Sequence, residues 1–125
     1  AIEAYTCRKS GEVKTYFYSG SNPLTDALAE KAIELIANNF IPSLNDDSNA
    51  RMNMAMASYM AGIAFGNAGV HVPHAASHAI AGLVSAPHGV CVASVAPALL
   101  EFLEDAEEAK LRRISEIFGC SASEG

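Results

Sequence analysis

The chain has 125 residues, of which 50% are hydrophobic and 18% are charged, and its formal net charge is −6 at pH 7. This length suffices for one domain with a modest core. The negative charge argues against nucleic acids and anionic membrane surfaces as partners, because both would repel it.

The cysteines and the two chain ends indicate the compartment and the extent of the protein. Three cysteines without a CxxC pair make no disulfide framework, so we expect a reducing, cytoplasmic compartment. The chain opens on AIEAYT without an initiator methionine and closes on the polar tail SASEG. We expect both ends to be cut points in a longer protein.

Residues 1–21 predict little regular structure. The first seven read as the end of a helix or as a short apolar stub. Residues 8–21 contain several serines and glycines together with an aromatic run at 16–18. They predict a surface loop pinned by its aromatic side chains, or else a short hairpin.

The first long helix is predicted to begin after Asn22. Asn22 is a good N-cap, and Pro23 suits the first helical position. The helix should end before Pro42, because proline opposes helix continuation. A polar loop should follow at 43–48. At helical spacing, the inner side of this helix should carry Leu28, Ala32, Leu35, Ile36 and Phe40.

A second helix is predicted from Asp47 or Ser48 to about Asn67. Alanine, glycine and serine fill most of its positions, and four methionines add adaptable packing volume. A helix that is apolar on all sides is buried in a core or in a membrane. Polar interruptions and a lack of leucine and valine favour the core, since a membrane span needs about 20 strongly apolar residues.

Three shorter helices are predicted at 74–84, 90–104 and 105–118. The middle one should be interrupted or offset at Pro97. The last should open on a capping-box-like pair, Asp105 and Glu108, and stop at Gly119. Its inner side should carry Leu111, Ile114, Ile117 and Phe118, and its outer side the pairs Glu108–Arg112 and Arg112–Glu116. The predicted fold class is therefore all-α, a helical bundle in one domain over residues 1–125.

All four histidines, His71, His74, His78 and His88, lie between residues 69 and 90. The surrounding stretch, 52–100, contains no Asp, Glu, Lys or Arg, and we expect it to be buried. His74 and His78 share one helical face, and His88 follows in a turn close enough to fold back. Two ligands on a helix and one from a turn make a workable divalent-metal site. The alternative is that the four imidazoles only satisfy their nitrogens inside the core.

A metal bound only by neutral imidazoles would leave two positive charges in a dry core, so the site needs a carboxylate. We expect one of Asp46, Asp47, Glu101 and Glu104 to reach the histidines, or the carboxylate to lie outside this chain. Cys91 is expected to be a buried, inert thiol rather than a nucleophile paired with His88.

Two stretches resemble the iron-containing (group III) alcohol dehydrogenase family. They are AGIAFGNAGVHVPHAASHAIAG at 61–82 and APHGVCVASVAPALLEF at 86–102. The helix SNPLTDALAEKAIELI at 21–36 is similar to the family's preceding helix, and AIEAYT to the continuation of its DALxH segment. The resemblance spans the chain except for residues 11–20 and the tail.

The resemblance implies a protein with an N-terminal NAD(P)-binding domain, absent from this chain, and a C-terminal helical domain. A divalent metal, Fe²⁺ or Zn²⁺, lies between them on one Asp and three His. His74 and His88 match two of these ligands, and the other two would precede Ala1. His78 matches the histidine beside the nicotinamide, which relays a proton or contacts substrate, and is thus both catalytic and cofactor-binding.

The implied reaction is hydride transfer between an alcohol and NAD or NADP, with the metal as Lewis acid. The isolated chain should be inactive, and we expect the protein to form a homo-oligomer.

GNAGVH and GSNP also resemble the hydroxyacid–oxoacid transhydrogenase branch, which would be mitochondrial. That branch has a longer stretch before PHG and tends to lack a match to His78. The substrate is therefore left open between simple alcohols or aldehydes and small hydroxyacids, and a non-enzymatic helical metal-binding module is a further alternative.

Overall fold

The computed structural model describes residues 1–12 and 17–120. Those residues form six α-helices and one 3₁₀ turn, and among them the only β-type pairing is a single bridge between Lys9 and Ser21. The predicted all-α class is confirmed. In chain order the elements are α1 (Ile2–Tyr5), the 3₁₀ turn (Ser10–Glu12), α2 (Pro23–Leu44), α3 (Ser48–Ala68), α4 (Val72–Ala81), α5 (His88–Leu103) and α6 (Glu108–Ile117).

Helix α2 begins as predicted. The Asn22 side chain accepts the backbone N–H groups of Leu24 and Thr25, and the Thr25 hydroxyl accepts the Asn22 N–H at 3.0 Å. These bonds satisfy N–H groups that the first turn of a helix leaves without a partner.

The expected stop before Pro42 is wrong, since α2 runs on to Leu44. Pro42 falls in the last turn, where its missing N–H removes one hydrogen bond and few residues follow. The predicted inner side is also partly wrong. Phe40 is half exposed, and the buried positions of α2 are Thr25, Ala29, Ala32 and Ile33.

Helices α2 and α3 form a long antiparallel hairpin. Helix α3 starts at Ser48, as predicted, and Asp47 caps it by accepting the N–H groups of Asn49 and Ala50. Buried alanines recur at every seventh position along α3: Ala50, Ala57 and Ala64. Such small side chains let the two helix backbones approach closely.

Most of α3 is nevertheless exposed, against the expectation of a buried 52–100 stretch. One stripe of apolar residues at helical spacing is exposed. We call it the exposed α3 stripe, and it consists of Met52, Met56, Tyr59 and Ile63. The absence of charge there reflects an apolar surface rather than an interior.

The core forms where α1, α2, α3 and α6 meet. Its buried members are Ala4, Tyr5, Cys7, Ala29, Ile33, Ala64, Ala68 and Ile114. The short helix α1 therefore lies centrally, with Tyr5 and its neighbours enclosed. The N-terminal stub of the sequence thus becomes an inner element of the fold.

Helix α6 matches its prediction in part. Ile114 is buried, with Leu111 and Ile117 packed against the core, but Phe118 is half exposed. The helix starts at Glu108 and Glu107 provides no side-chain cap, so the expected box at Asp105 does not form. Gly119 has a φ of 72°, as expected of the residue that follows the C-terminus of the helix.

The outer side of α6 carries ion pairs. The predicted Glu108–Arg112 pair forms, whereas Glu116 pairs with Arg113 instead of Arg112.

Helices α4 and α5 pack against each other as a second pair. Helix α4 starts two residues earlier than predicted, with Pro73 in its first turn, where proline costs no hydrogen bond. It ends at Ala81, three residues early. Helix α5 starts directly at His88 and continues through Pro97 without the predicted interruption.

Residues 17–21 return along the end of α3. The Ser19 N–H donates to the Asn67 carbonyl at 2.6 Å, and the Tyr18 ring lies against Gly69. Phe17 is almost fully exposed. Of the aromatic residues predicted to anchor this loop, Tyr18 does so, while Tyr16 lies outside the described residues.

A membrane span is not found in residues 1–12 and 17–120, where every helix is too short or too polar to cross a bilayer.

Candidate functional site

Three of the four histidines come together between α4 and α5. His74 lies in the first turn of α4, His78 one turn later, and His88 is the first residue of α5. The ring centroids of His74 and His88 are 5.2 Å apart, and those of His78 and His88 are 6.1 Å apart, with both pairs edge to face. The structure thus assembles the three positions that the sequence singled out for metal binding and catalysis.

These rings are open to solvent rather than enclosed. His78 and His88 are exposed, and the His74 side chain is 31% exposed. A histidine that only satisfies its nitrogens inside a core would be buried. That alternative does not apply to His78 and His88, and the trio is accessible to an ion or a small molecule.

A carboxylate does reach the histidines, but it is not one of those expected. The Glu3 Oε1 atom lies 2.5 Å from His74 Nδ1, and Glu3 Oε2 accepts the His71 backbone N–H at 2.8 Å. Glu3 is buried, with only 8% of its surface exposed. Because α1 lies centrally in the fold, its one acidic side chain points at the start of α4.

The four carboxylates proposed from the sequence lie elsewhere. Asp46 pairs with Arg51, and Asp47 caps α3. Glu101 and Glu104 are exposed and line a separate depression beside α6. The signal that points to Glu3 is modest: it is the only charged residue among the apolar positions of residues 1–7. A helical turn that buries those positions must also find a partner for the carboxylate.

His71 does not join the trio. It occupies the N-cap position of α4, and its Nε2 lies 3.1 Å from the Thr6 hydroxyl. Burial lowers the pKa of His71, an effect that the nearby Glu3 carboxylate partly opposes. His71 therefore faces α1, away from His88.

An apolar cavity of about 290 Å³ lies next to the Glu3–His74 pair. These two side chains supply its polar end, and the remaining walls come from Ala1 and Ile2, from α2, Pro73 and α5, and from Phe118 just after α6. The apolar walls include Ile33, Ile36, Val92, Leu99, Leu100 and Phe118. Cys91 is buried, as predicted, and its thiol lies 3.9 Å from the Ala86 carbonyl oxygen.

The described residues do not contain a complete metal site. Across 1–12 and 17–120, no three His, Cys, Asp or Glu side chains are arranged to hold one ion. The donors available are the neighbouring imidazoles of His74 and His88. On a shared ion about 2.1 Å from one nitrogen of each ring, two imidazoles in tetrahedral directions have centres about 5 Å apart. Their separation in the structure suits that arrangement, and further ligands would have to come from elsewhere.

Comparisons with known proteins agree on one family. The family model described as "Fe-containing alcohol dehydrogenase family, C-terminal" matches residues 12–125. Alcohol dehydrogenase 4 of Saccharomyces cerevisiae is 40% identical over 114 residues, covering 87% of this chain and 30% of that protein. The mitochondrial hydroxyacid-oxoacid transhydrogenase of Bos taurus is 34% identical over 142 aligned positions, covering 95% of this chain and 30% of the relative.

Comparison of the fold with solved structures points to the same family. The crystal structure of a 1,3-propanediol oxidoreductase superposes with a TM-score of 0.83 at 34% sequence identity, over 98% of this chain and 30% of that one. The chain therefore spans about 30% of the length of the relatives it matches. Its helices correspond to one part of a larger architecture in those proteins.

Proposed function

Because this chain belongs to the iron-containing alcohol dehydrogenase family, we propose that it is the metal-binding part of an oxidoreductase that transfers hydride between an alcohol and NAD or NADP. The observation that carries this proposal is the approach of His74 and His88 at the α4–α5 junction. The two rings come from separate helices, and they face a surface that an ion and a substrate can reach.

We further propose that the chain works within a longer polypeptide whose N-terminal domain binds the nucleotide. The short span relative to its family members supports this proposal. So does the exposed α3 stripe, since a protein surface rarely leaves a contiguous apolar face without a partner. Phe102 on α5 and Leu83 in the α4–α5 turn are also strongly exposed.

In this proposal His74 and His88 hold Fe²⁺ or Zn²⁺ together with two ligands from the rest of the longer polypeptide. The donor chemistry supports it, because neutral imidazole is a common ligand for both ions. A bound ion of this kind supplies Lewis-acid polarisation of an alcohol or carbonyl oxygen. The chain's part is to present two imidazoles at fixed separation from the rigid starts of two packed helices.

His78 is proposed as the catalytic residue, in contact with both the nicotinamide and the substrate. Its imidazole is exposed and lies beside His88, one helical turn beyond His74. From that position a ring nitrogen can accept the proton of an alcohol hydroxyl and pass it to solvent. Replacing His78 would therefore lower turnover in the full-length enzyme without removing a ligand of the ion.

A simple alcohol or aldehyde is the substrate class that we propose first. The alignment with the transhydrogenase is longer than this chain, so the relative carries additional residues within the matched region. This chain has the short interval between His74 and His88, and it keeps His78. A small hydroxyacid is the second candidate, since that relative still matches nearly the whole chain.

The metal proposal can be tested on the chain itself by Zn²⁺ titration with calorimetric detection. We expect weak binding by the wild type, loss of binding in His88→Ala, and retained binding in His78→Ala as the matched control. Equal behaviour of wild type and His88→Ala would contradict the assignment. Tight, four-coordinate binding by this chain alone would instead favour a self-sufficient metal-binding module.

A further inference from the structure

We propose that Glu3 is a positioning residue for the ion: it holds the proton of the His74 ring on Nδ1 and so leaves the Nε2 lone pair free for the metal. This inference rests on the proposed function, because it takes His74 to be a ligand. The tautomer of the His74 ring can nevertheless be observed without any metal, so it can be tested independently of the proposed function.

The chemistry of the contact fixes the direction of the hydrogen bond. A carboxylate oxygen only accepts, so the short Glu3–His74 contact requires a proton on Nδ1. A neutral imidazole carries one N–H, and the other nitrogen then carries the lone pair that a metal needs. Hydrogen bonds from the second ring nitrogen of a ligand to a carboxylate are a general way to set tautomer, ring orientation and basicity.

The second oxygen of Glu3 strengthens the case. It accepts the N–H of His71, at the start of a helix that has no side-chain cap of its own. The carboxylate is therefore held at both oxygens between α1 and the first turn of α4. Being buried and doubly bonded, it orients His74 instead of competing as a ligand.

The experiment compares the wild-type chain with Glu3→Gln by long-range ¹H–¹⁵N correlation of the imidazoles, without metal, at about pH 8, where free imidazoles are neutral. In the wild type we expect His74 to be the Nδ1–H tautomer. The glutamine can still accept the His71 N–H through its oxygen, but it presents an NH₂ group to Nδ1. The ring should then change to the Nε2–H tautomer. Glu108→Gln, an exposed carboxylate on α6, is the matched control and should leave the His74 signals unchanged.

Zn²⁺ affinity provides the second readout. We expect it to fall about 10- to 100-fold in Glu3→Gln, the usual cost of losing such a partner, and to be unaffected in Glu108→Gln. An Nε2–H tautomer in the wild type would overturn the proposal, and this holds even if the variant fails to fold. A variant with unchanged tautomer or unchanged affinity would also overturn it.

The metal site and the positioning role of Glu3 can be refuted separately. If neither His74→Ala nor His88→Ala alters Zn²⁺ binding, the proposed metal site is wrong, whatever the tautomer of His74. If those variants lose binding while Glu3→Gln keeps full affinity, the metal site stands and the positioning role of Glu3 is wrong.

Discussion

At the residue scale, the core around Tyr5 favours the protonated form of its phenol over the phenolate. Burial, followed by the hydrogen bond to Glu30, raises the pKa of Tyr5 to about 12. The folded-state pKa thus exceeds the ordinary value near 10, so folding favours the protonated phenol. That stabilisation is complete below about pH 10 and is lost as the pH rises towards 12.

Replacing Tyr5 by Phe tests this linkage. We expect Tyr5→Phe to cost about 1 kcal/mol near pH 7, because the hydrogen bond to Glu30 is lost. The same variant should lose less stability than the wild type between pH 10 and 12. Urea denaturation followed by circular dichroism at both ends of that interval measures the difference. Parallel loss in the two proteins would contradict the assignment to Tyr5.

Gly69 gives a second prediction at this scale. Its φ of 101° is strained for any residue with a side chain, and an added Cβ would lie 3.4 Å from the Tyr18 ring. We expect Gly69→Ala to destabilise the fold by about 1–3 kcal/mol. The matched control is Gly62→Ala, inside α3 with open space around it, which should stabilise by about 0.5–1 kcal/mol. Thermal melting of both variants decides the point, and shifts of the same sign would contradict it.

Single residues also show which features the sequence could predict. The sequence predicts the Asn22 cap because a cap depends on a side chain and the next three backbone groups. The His74–His78–His88 grouping followed from helical spacing and a short turn. Glu3 was missed because its partner lies 71 residues away, and no local pattern encodes that contact.

At the scale of elements, the α2–α3 hairpin depends on the small size of its interface residues. Ala57 is fully buried there. We expect Ala57→Leu to destabilise the fold by about 1–3 kcal/mol, because the added carbons would force the helices apart. Ala55→Leu, on the exposed side of the same helix, is the matched control and should change stability by less than about 0.5 kcal/mol. Equal effects in chemical denaturation would contradict the close packing.

The ends of elements were predicted less well than their existence. Helix α2 continues past Pro42 because the proline falls in its last turn. Helix α6 starts three residues later than predicted, with Glu107 and not Asp105 at its N-cap position. The predicted burial of α3 is also wrong, since a stretch without charges can be either an interior or an apolar surface.

At the scale of the whole molecule, the exposed α3 stripe predicts self-association of the isolated chain. Met52 and Tyr59 lie on this stripe and are each about 70% exposed. We expect sedimentation velocity to show concentration-dependent association, driven by burial of this surface. The double variant Met52→Gln/Tyr59→Gln should reduce it, while Phe17→Gln, an exposed aromatic side chain outside this stripe, should not. A wild-type chain that stays monomeric at all concentrations would contradict the prediction.

The contact between Glu3 and His74 has a consequence for the order of folding. Neighbouring helices such as α2 and α3 can pair after closing a short loop, whereas Glu3 reaches His74 only after that hairpin has brought distant segments together. We therefore expect the His74–His88 pair to acquire its final orientation among the last contacts to form. An ion that binds this late arrangement and not the unfolded chain stabilises the entire fold by mass action, so occupancy of the centre and global unfolding become one coupled equilibrium.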